Sequence, residues 1–83
     1  MELKNTLKNY IVIEIMHEQN LSVLDDEAAL IENGIIDSMA LIELVKFIEK
    51  NFNVEISEEE LDIDNFRTLN CIIAFVRSKI AGK

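Results

Sequence analysis

Ser38 is the residue whose neighbours most invite a chemical reading. It lies in Gly34-Ile35-Ile36-Asp37-Ser38-Met39, where an irregular apolar stretch gives way to a strongly periodic one. A serine there can be a nucleophile, an acceptor of a covalent group, or a helix cap, and each role needs different company. A hydrolytic serine requires a base, an acid that orients the base and usually a Gly-x-Ser-x-Gly elbow. Ser38 has no such elbow, and the one histidine, His17, falls at the end of another predicted helix. A domain this small also has little room for a substrate pocket lined by preorganised donors. Catalysis by this chain alone is therefore not expected, and no catalytic residue is assigned. As a cap, Ser38 would accept a backbone N–H bond of the first turn. Asp37 before it and Glu43 five residues on would suit the positive end of the helix. Capping does not account for Met39 and Ile42, two apolar residues off the stripe that the helix would bury best, nor for the long loop that leads to Ser38.

The other candidates have simpler readings. Cys71 lies on an apolar helix and reads as a small hydrophobe. His17 has no second ligand at i+3 or i+4, so a helix-end histidine is expected rather than a metal site. Asp62-Ile63-Asp64-Asn65 superficially resembles a calcium loop, but the glycine and closing glutamate are missing at the required offsets. No metal ligand is assigned.

The elements that must position Ser38 follow from apolar spacing. Leu3, Leu7, Tyr10, Ile11 and Ile15 predict a helix over residues 3–16, with Val12 and Ile13 widening its buried stripe and His17 and Glu18 closing it. Residues 20–37 show no clear period. Asp25-Asp26-Glu27 could cap a short turn, Asn33-Gly34 reads as a chain reversal, and Leu21, Val23, Leu24, Leu30 and Ile31 are expected to tuck inward. So long a loop in a small domain usually has a functional reason. Residues 38–51 form the second helix, with Ser38 as its cap. Its core stripe is Leu41, Leu44, Val45, Ile48 and Phe52, with Phe47 at the edge and Asn51 and Asn53 as the stop. Val54-Glu55-Ile56 is expected to be a loop anchored by Val54 and Ile56, not a strand. Ser57-Glu58-Glu59-Glu60 reads as a capping box opening a single-turn helix. Ile63 and Phe66 anchor the next connector. Thr68 caps a last helix with stripe Leu69, Ile72, Ile73, Val76 and Ile80, and with Lys79 and Lys83 at its negative pole. The expectation is all-α: a four-helix bundle of three longer helices and one short one, residues 1–83 forming a single domain.

Composition agrees with that fold and narrows the partners. A hydrophobic fraction of 49% can build a core, while the absence of proline and only two glycines leave few strand-punctuating turns. One cysteine forbids an internal disulfide and fits a reducing, cytoplasmic setting. No apolar run is long enough to span a membrane, and Met1-Glu2-Leu3-Lys4-Asn5 lacks a signal-peptide layout. Sixteen acids against eight bases give a net charge of −8. That surface repels nucleic acid and anionic lipid and favours basic patches on partner proteins. Simple solubility would also account for it.

Asn33-Gly34-Ile35-Ile36-Asp37-Ser38-Met39-Ala40-Leu41-Ile42-Glu43-Leu44 resembles the attachment motif of acyl carrier proteins, and the element order of nearly the whole chain is similar to that family. The resemblance implies that Ser38 receives 4′-phosphopantetheine from coenzyme A, through a separate phosphopantetheinyl transferase that uses a metal ion. An acyl or aminoacyl group would then ride on the arm's thiol as a thioester. The resemblance also implies that Asp37 helps position the site. Met39 and Ile42 would contact partner enzymes, with Glu43 and Glu49 meeting basic residues there. Those partners would be a loading ligase and downstream synthases or transferases, visited by a monomeric, non-enzymatic carrier. Ala40 stands where fatty-acid carriers often have an acid, and Lys46 and Lys50 interrupt the acidic face of the helix. Together with Asn65-Phe66-Arg67-Thr68-Leu69, these departures look more like discrete carriers of specialised, polyketide- or nonribosomal-peptide-like pathways. A carrier for primary fatty-acid synthesis is the alternative, and an acidic helical adaptor without a prosthetic group is the alternative of another class.

Overall fold

The three apolar stripes become three helices in the computed structural model, which describes residues 3–82. They are α1 (Leu3–Asn9), which runs into a π-helical turn at Tyr10–Ile15, α2 (Ser38–Phe52) and α3 (Leu69–Ala81). Short 3-10 turns occupy the connections at Leu21–Val23, Glu58–Glu60 and Ile63–Asn65, and no strand occurs among the described residues. The fold is all-helical, and two short 3-10 turns lie between α2 and α3: Glu58–Glu60, where the single short helix was expected, and Ile63–Asn65. Met1, Glu2 and Lys83 lie outside the described residues, and with Lys83 the second cation expected at the end of α3.

The end of α1 departs from the sequence expectation for a packing reason. Leu7, Ile11 and Val12 are all buried. In a continuous α-helix Val12 would be turned well away from the face of Leu7, because five residues overshoot one turn. The wider π winding brings Ile11 and Val12 to the core together, with the Met16 amide donating to the Ile11 carbonyl at 2.9 Å. His17 takes a left-handed conformation, φ 59°, and the Glu18 amide closes the end onto the Val12 carbonyl. The same rewinding turns Ile13 outward, 46% exposed, where a widened buried stripe had been expected. Tyr10 stacks on Phe47 of α2, their ring centroids 4.0 Å apart, which ties the π segment to the helix that begins at Ser38.

The long loop is anchored rather than draped. Leu24, Leu30 and Ile36 are buried, Leu21 and Ile31 are half-buried, and Val23 points to solvent, against expectation. Gly34 provides the reversal at φ 74°, a conformation that glycine adopts without steric cost. Asp25 accepts the Glu27 amide. Asp26 instead reaches back to α1, where it pairs with Lys4 and with Lys8 at 3.1 Å. Backbone bonds from Leu30 to the Arg67 carbonyl (2.8 Å) and from Asn70 to the Asp26 carbonyl (3.2 Å) join the loop to the start of α3.

The remaining ends follow side-chain capping. Asn53 closes α2 in the left-handed region at φ 53°, and Thr68 Oγ1 accepts the Cys71 amide at the start of α3. Ser57 donates its amide and its hydroxyl to Glu60 Oε1, and Lys79 from α3 reaches the same carboxylate at 2.9 Å. Lys79 thus joins two elements, beyond the dipole role expected of it. Phe66 and Val54 are buried as anchors, and Ile56 is half-buried. Ile63 and Ile80, expected in the core, are 43% and 40% exposed. Ile63 sits in an outward 3-10 turn, and Ile80 lies in the last turn of α3, where little remains to cover it.

Candidate functional site

The start of α2 is built around one bond. Asp37 Oδ1 accepts the Ala40 amide at 2.9 Å, and Asp37 has the extended backbone of an N-cap (φ −95°, ψ −173°). Ser38 is therefore the first residue of the helix and not its cap, which corrects the sequence expectation by one position. Both residue types cap well. Asp37 takes the role because its carboxylate meets the amide three residues on, and α2 then starts at Ser38. The correction matters chemically: the cap bond leaves the Ser38 hydroxyl out, and Ser38 is exposed to solvent.

Two groups fix the direction of approach to that hydroxyl. Behind Asp37, Ile36 is 1% exposed and acts as a plug, with its amide bonded to the Leu30 carbonyl. Beneath, α2 is held by buried Leu44, Val45 and Ile48, while Leu41 and Phe52 are only half-buried. The serine thus stands on a rigid helix end at the mouth of a stapled loop. The positive pole of a 15-residue helix meets it there and favours an anion.

Met39, 68% exposed, and Ile42, 46% exposed, both present apolar surface next to Ser38. Glu43 is exposed one residue further, and Lys46 and Lys50 continue that side of the helix. Glu43 also lies close enough to Tyr10 to join Glu14 in raising its phenol pKa, an effect led by burial of the ring. Glu49 stands apart from this group. Its Oε2 accepts the Ile56 amide at 2.9 Å, so this carboxylate organises the loop after α2.

Sequence reasoning missed a hollow beside Ser38. Ile31, Gly34, Ile36, Asp37, Ser38 and Leu41 surround a shallow space of about 270 Å³ whose exposed walls are mainly apolar. The signal was present in Ile35-Ile36, an apolar pair directly after the reversing glycine. Their alternation between half-buried and buried could not be read without knowing where the loop docks.

Comparison with known proteins bears on this site. The profile of the family described as "Phosphopantetheine attachment site" matches residues 10–76, which includes the loop, all of α2 and most of α3. The chain is 35% identical to a D-alanyl carrier protein of Leuconostoc mesenteroides, over 96% of this chain and 99% of that protein. It is 33% identical to a D-alanyl carrier protein of Streptococcus suis, over 92% of each. It is also 30% identical to an acyl carrier protein of Chlamydia caviae, over 95% of this chain and 97% of that one.

Proposed function

Since the chain belongs to the acyl carrier protein family, whose covalent cofactor is 4′-phosphopantetheine, we propose that Ser38 is its attachment residue and that its cargo is a small aminoacyl group. The observation that carries the assignment is the exposed Ser38 hydroxyl on the first turn of α2, with capping handed to Asp37. The site suits the group. A phosphodiester at Ser38 would meet the positive helix end, and the adjoining hollow is apolar. When bound, the arm supplies a thiol that holds the carried group as a thioester.

The residues of this chain hold and present, and the chemistry belongs to partners. Ser38 Oγ forms the new bond to phosphorus, the pyrophosphate bond of coenzyme A breaks, and adenosine 3′,5′-bisphosphate leaves. A base on the transferase takes the hydroxyl proton. Asp37 positions the serine by fixing the helix start. Met39, Ile42 and Glu43 form the docking face, and Glu49, whose carboxylate holds the Ile56 amide, stands apart from it. Held at Ser38, the arm would keep its cargo within a small volume around each partner's active site and so raise its effective concentration there.

An aminoacyl cargo is supported by the names of the D-alanyl relatives and by Lys46 and Lys50, which break the acid run of α2. In this reading residues 1–83 are one monomeric, non-enzymatic carrier unit. It works in the cytoplasm with a transferase, an ATP-dependent ligase and a downstream acceptor enzyme.

The test is loading. Phosphopantetheinylated protein is incubated with ATP, D-alanine and a D-alanine-activating ligase, and in parallel with a malonyl donor and its transferase. A thioester mass gain that hydroxylamine removes, seen with D-alanine and not with malonyl, is the expected result. Malonyl loading alone would move the assignment to fatty-acid-type synthesis.

A further inference from the structure

The hollow beside Ser38 has a use that attachment alone does not require. Its rim includes the attachment residue, its walls are the side chains of Ile31, Ile36 and Leu41, and Gly34 leaves one side open. A Cβ placed on Gly34 would meet nothing within 4 Å. Ile36 is fully buried and Ile31 and Leu41 are half-buried, so the walls are held by the core and are not free to collapse inward. At about 270 Å³ the space falls just short of the roughly 300–1,000 Å³ of sites that enclose a whole drug-sized ligand. It suits a fragment.

We infer that this hollow seats the branched, dimethyl-bearing segment of the phosphopantetheine arm, and so sets the direction in which the arm leaves the protein. The inference rests on Ser38 being the attachment residue. Covalent chemistry selects the occupant. The quaternary carbon with its two methyls is four bonds from Ser38 Oγ, by way of phosphorus, the bridging oxygen and one methylene. It stays near the helix start whatever the rest of the arm does. It is the only compact apolar group on that part of the arm, since a hydroxyl and two amides come next along it. The thiol end, many freely rotating bonds further on, is not confined in this way. Burying two methyls against Ile31 and Leu41 is favoured by the apolar surface removed from water. The arm then leaves the hollow away from the loop, towards the side of α2 that bears Met39 and Ile42, while its thiol end stays free to swing.

The experiment uses the whole chain, with isotope-labelled isoleucine and leucine methyls, before and after modification by coenzyme A and a transferase. Intact mass first records the added arm. Without that gain, against an active transferase control, the attachment assignment and this inference fall together. With it, the expected result is methyl shifts at Ile31, Ile36 and Leu41 and cross-peaks from the arm's two methyl singlets to Ile31 and Leu41. Leu41→Ala should lose its own cross-peaks and weaken those to Ile31, and Ile31→Val should keep the fold while reducing them. Met39→Ala should change none. Shifts confined to the backbone around Ser38, with sharp arm methyl signals and no cross-peaks, would overturn the seat while leaving the carrier assignment intact.

Discussion

The N-cap of α2 falls to Asp37, where the sequence alone assigned it to Ser38, and this leaves the Ser38 hydroxyl available for the attachment proposed for it. The bond from the Ala40 amide to Asp37 Oδ1 makes the aspartate the cap. Asp37→Ala should therefore cost about 1 kcal/mol, the usual worth of an N-cap side chain. In a domain of this size that corresponds to roughly 4–8 °C in Tm. Ser38→Ala should stay within about 0.5 kcal/mol of wild type, as an exposed substitution away from any cap does. Thermal melts of the two variants check this, and a larger loss for Ser38→Ala would return the cap to the serine. The residue types at the site were legible from the sequence, whereas the division of labour was not. Two good caps in succession differ only in where the first helical turn begins, and the docking of Ile36 in the core decides that.

At the scale of elements, the stripes of α2 and α3 were readable because each keeps one helical period from cap to end. α1 was not, because Ile11 and Val12 are both drawn to the core and the backbone widens to a π turn to allow it. Local spacing carries no sign of this, as the demand comes from the core that buries both side chains. The loop illustrates the same limit. Its apolar anchors were largely visible, but the pairing of Asp26 with Lys4 and Lys8 joins residues far apart in sequence. That pairing makes a pH prediction. The Lys4 ammonium first, then that of Lys8, hold the Asp26 carboxyl below its ordinary value. A carboxyl with a lowered folded-state pKa stabilises the fold above its unfolded value, and the contribution is lost as pH falls through the folded value. Asp26→Asn should thus melt below wild type at neutral pH, and the gap should close on acidification beneath the ordinary aspartate range. A gap that persists unchanged in strong acid would show that the carboxylate charge is not its source.

For the molecule as a whole, the most exposed large apolar side chain among the described residues, Met39, stands beside the serine, and Ile42 lies one helical turn on. Met39 and Ile42 lie there on a body of net charge −8. Ile42→Asp should leave a cooperative thermal transition, because the side chain is already 46% exposed, while slowing modification and loading by partner enzymes. A collapse of that transition would place Ile42 in the core and remove it from the docking face. The overall fold was legible in the sequence because each long helix carries an apolar stripe, and α2 and α3 each open on a capping side chain. The exposed start of α2 was legible as a position and not as a shape, since the hollow forms only when the loop folds back against that helix start. The central claim is that Ser38 is the residue that receives the arm. The most direct measurement is intact mass after incubation with coenzyme A, magnesium and a broad-specificity phosphopantetheinyl transferase, for wild type and Ser38→Ala side by side. The account predicts one added phosphopantetheine on wild type and none on Ser38→Ala. An unmodified wild type beside a working control, or an equal gain on Ser38→Ala, would contradict it.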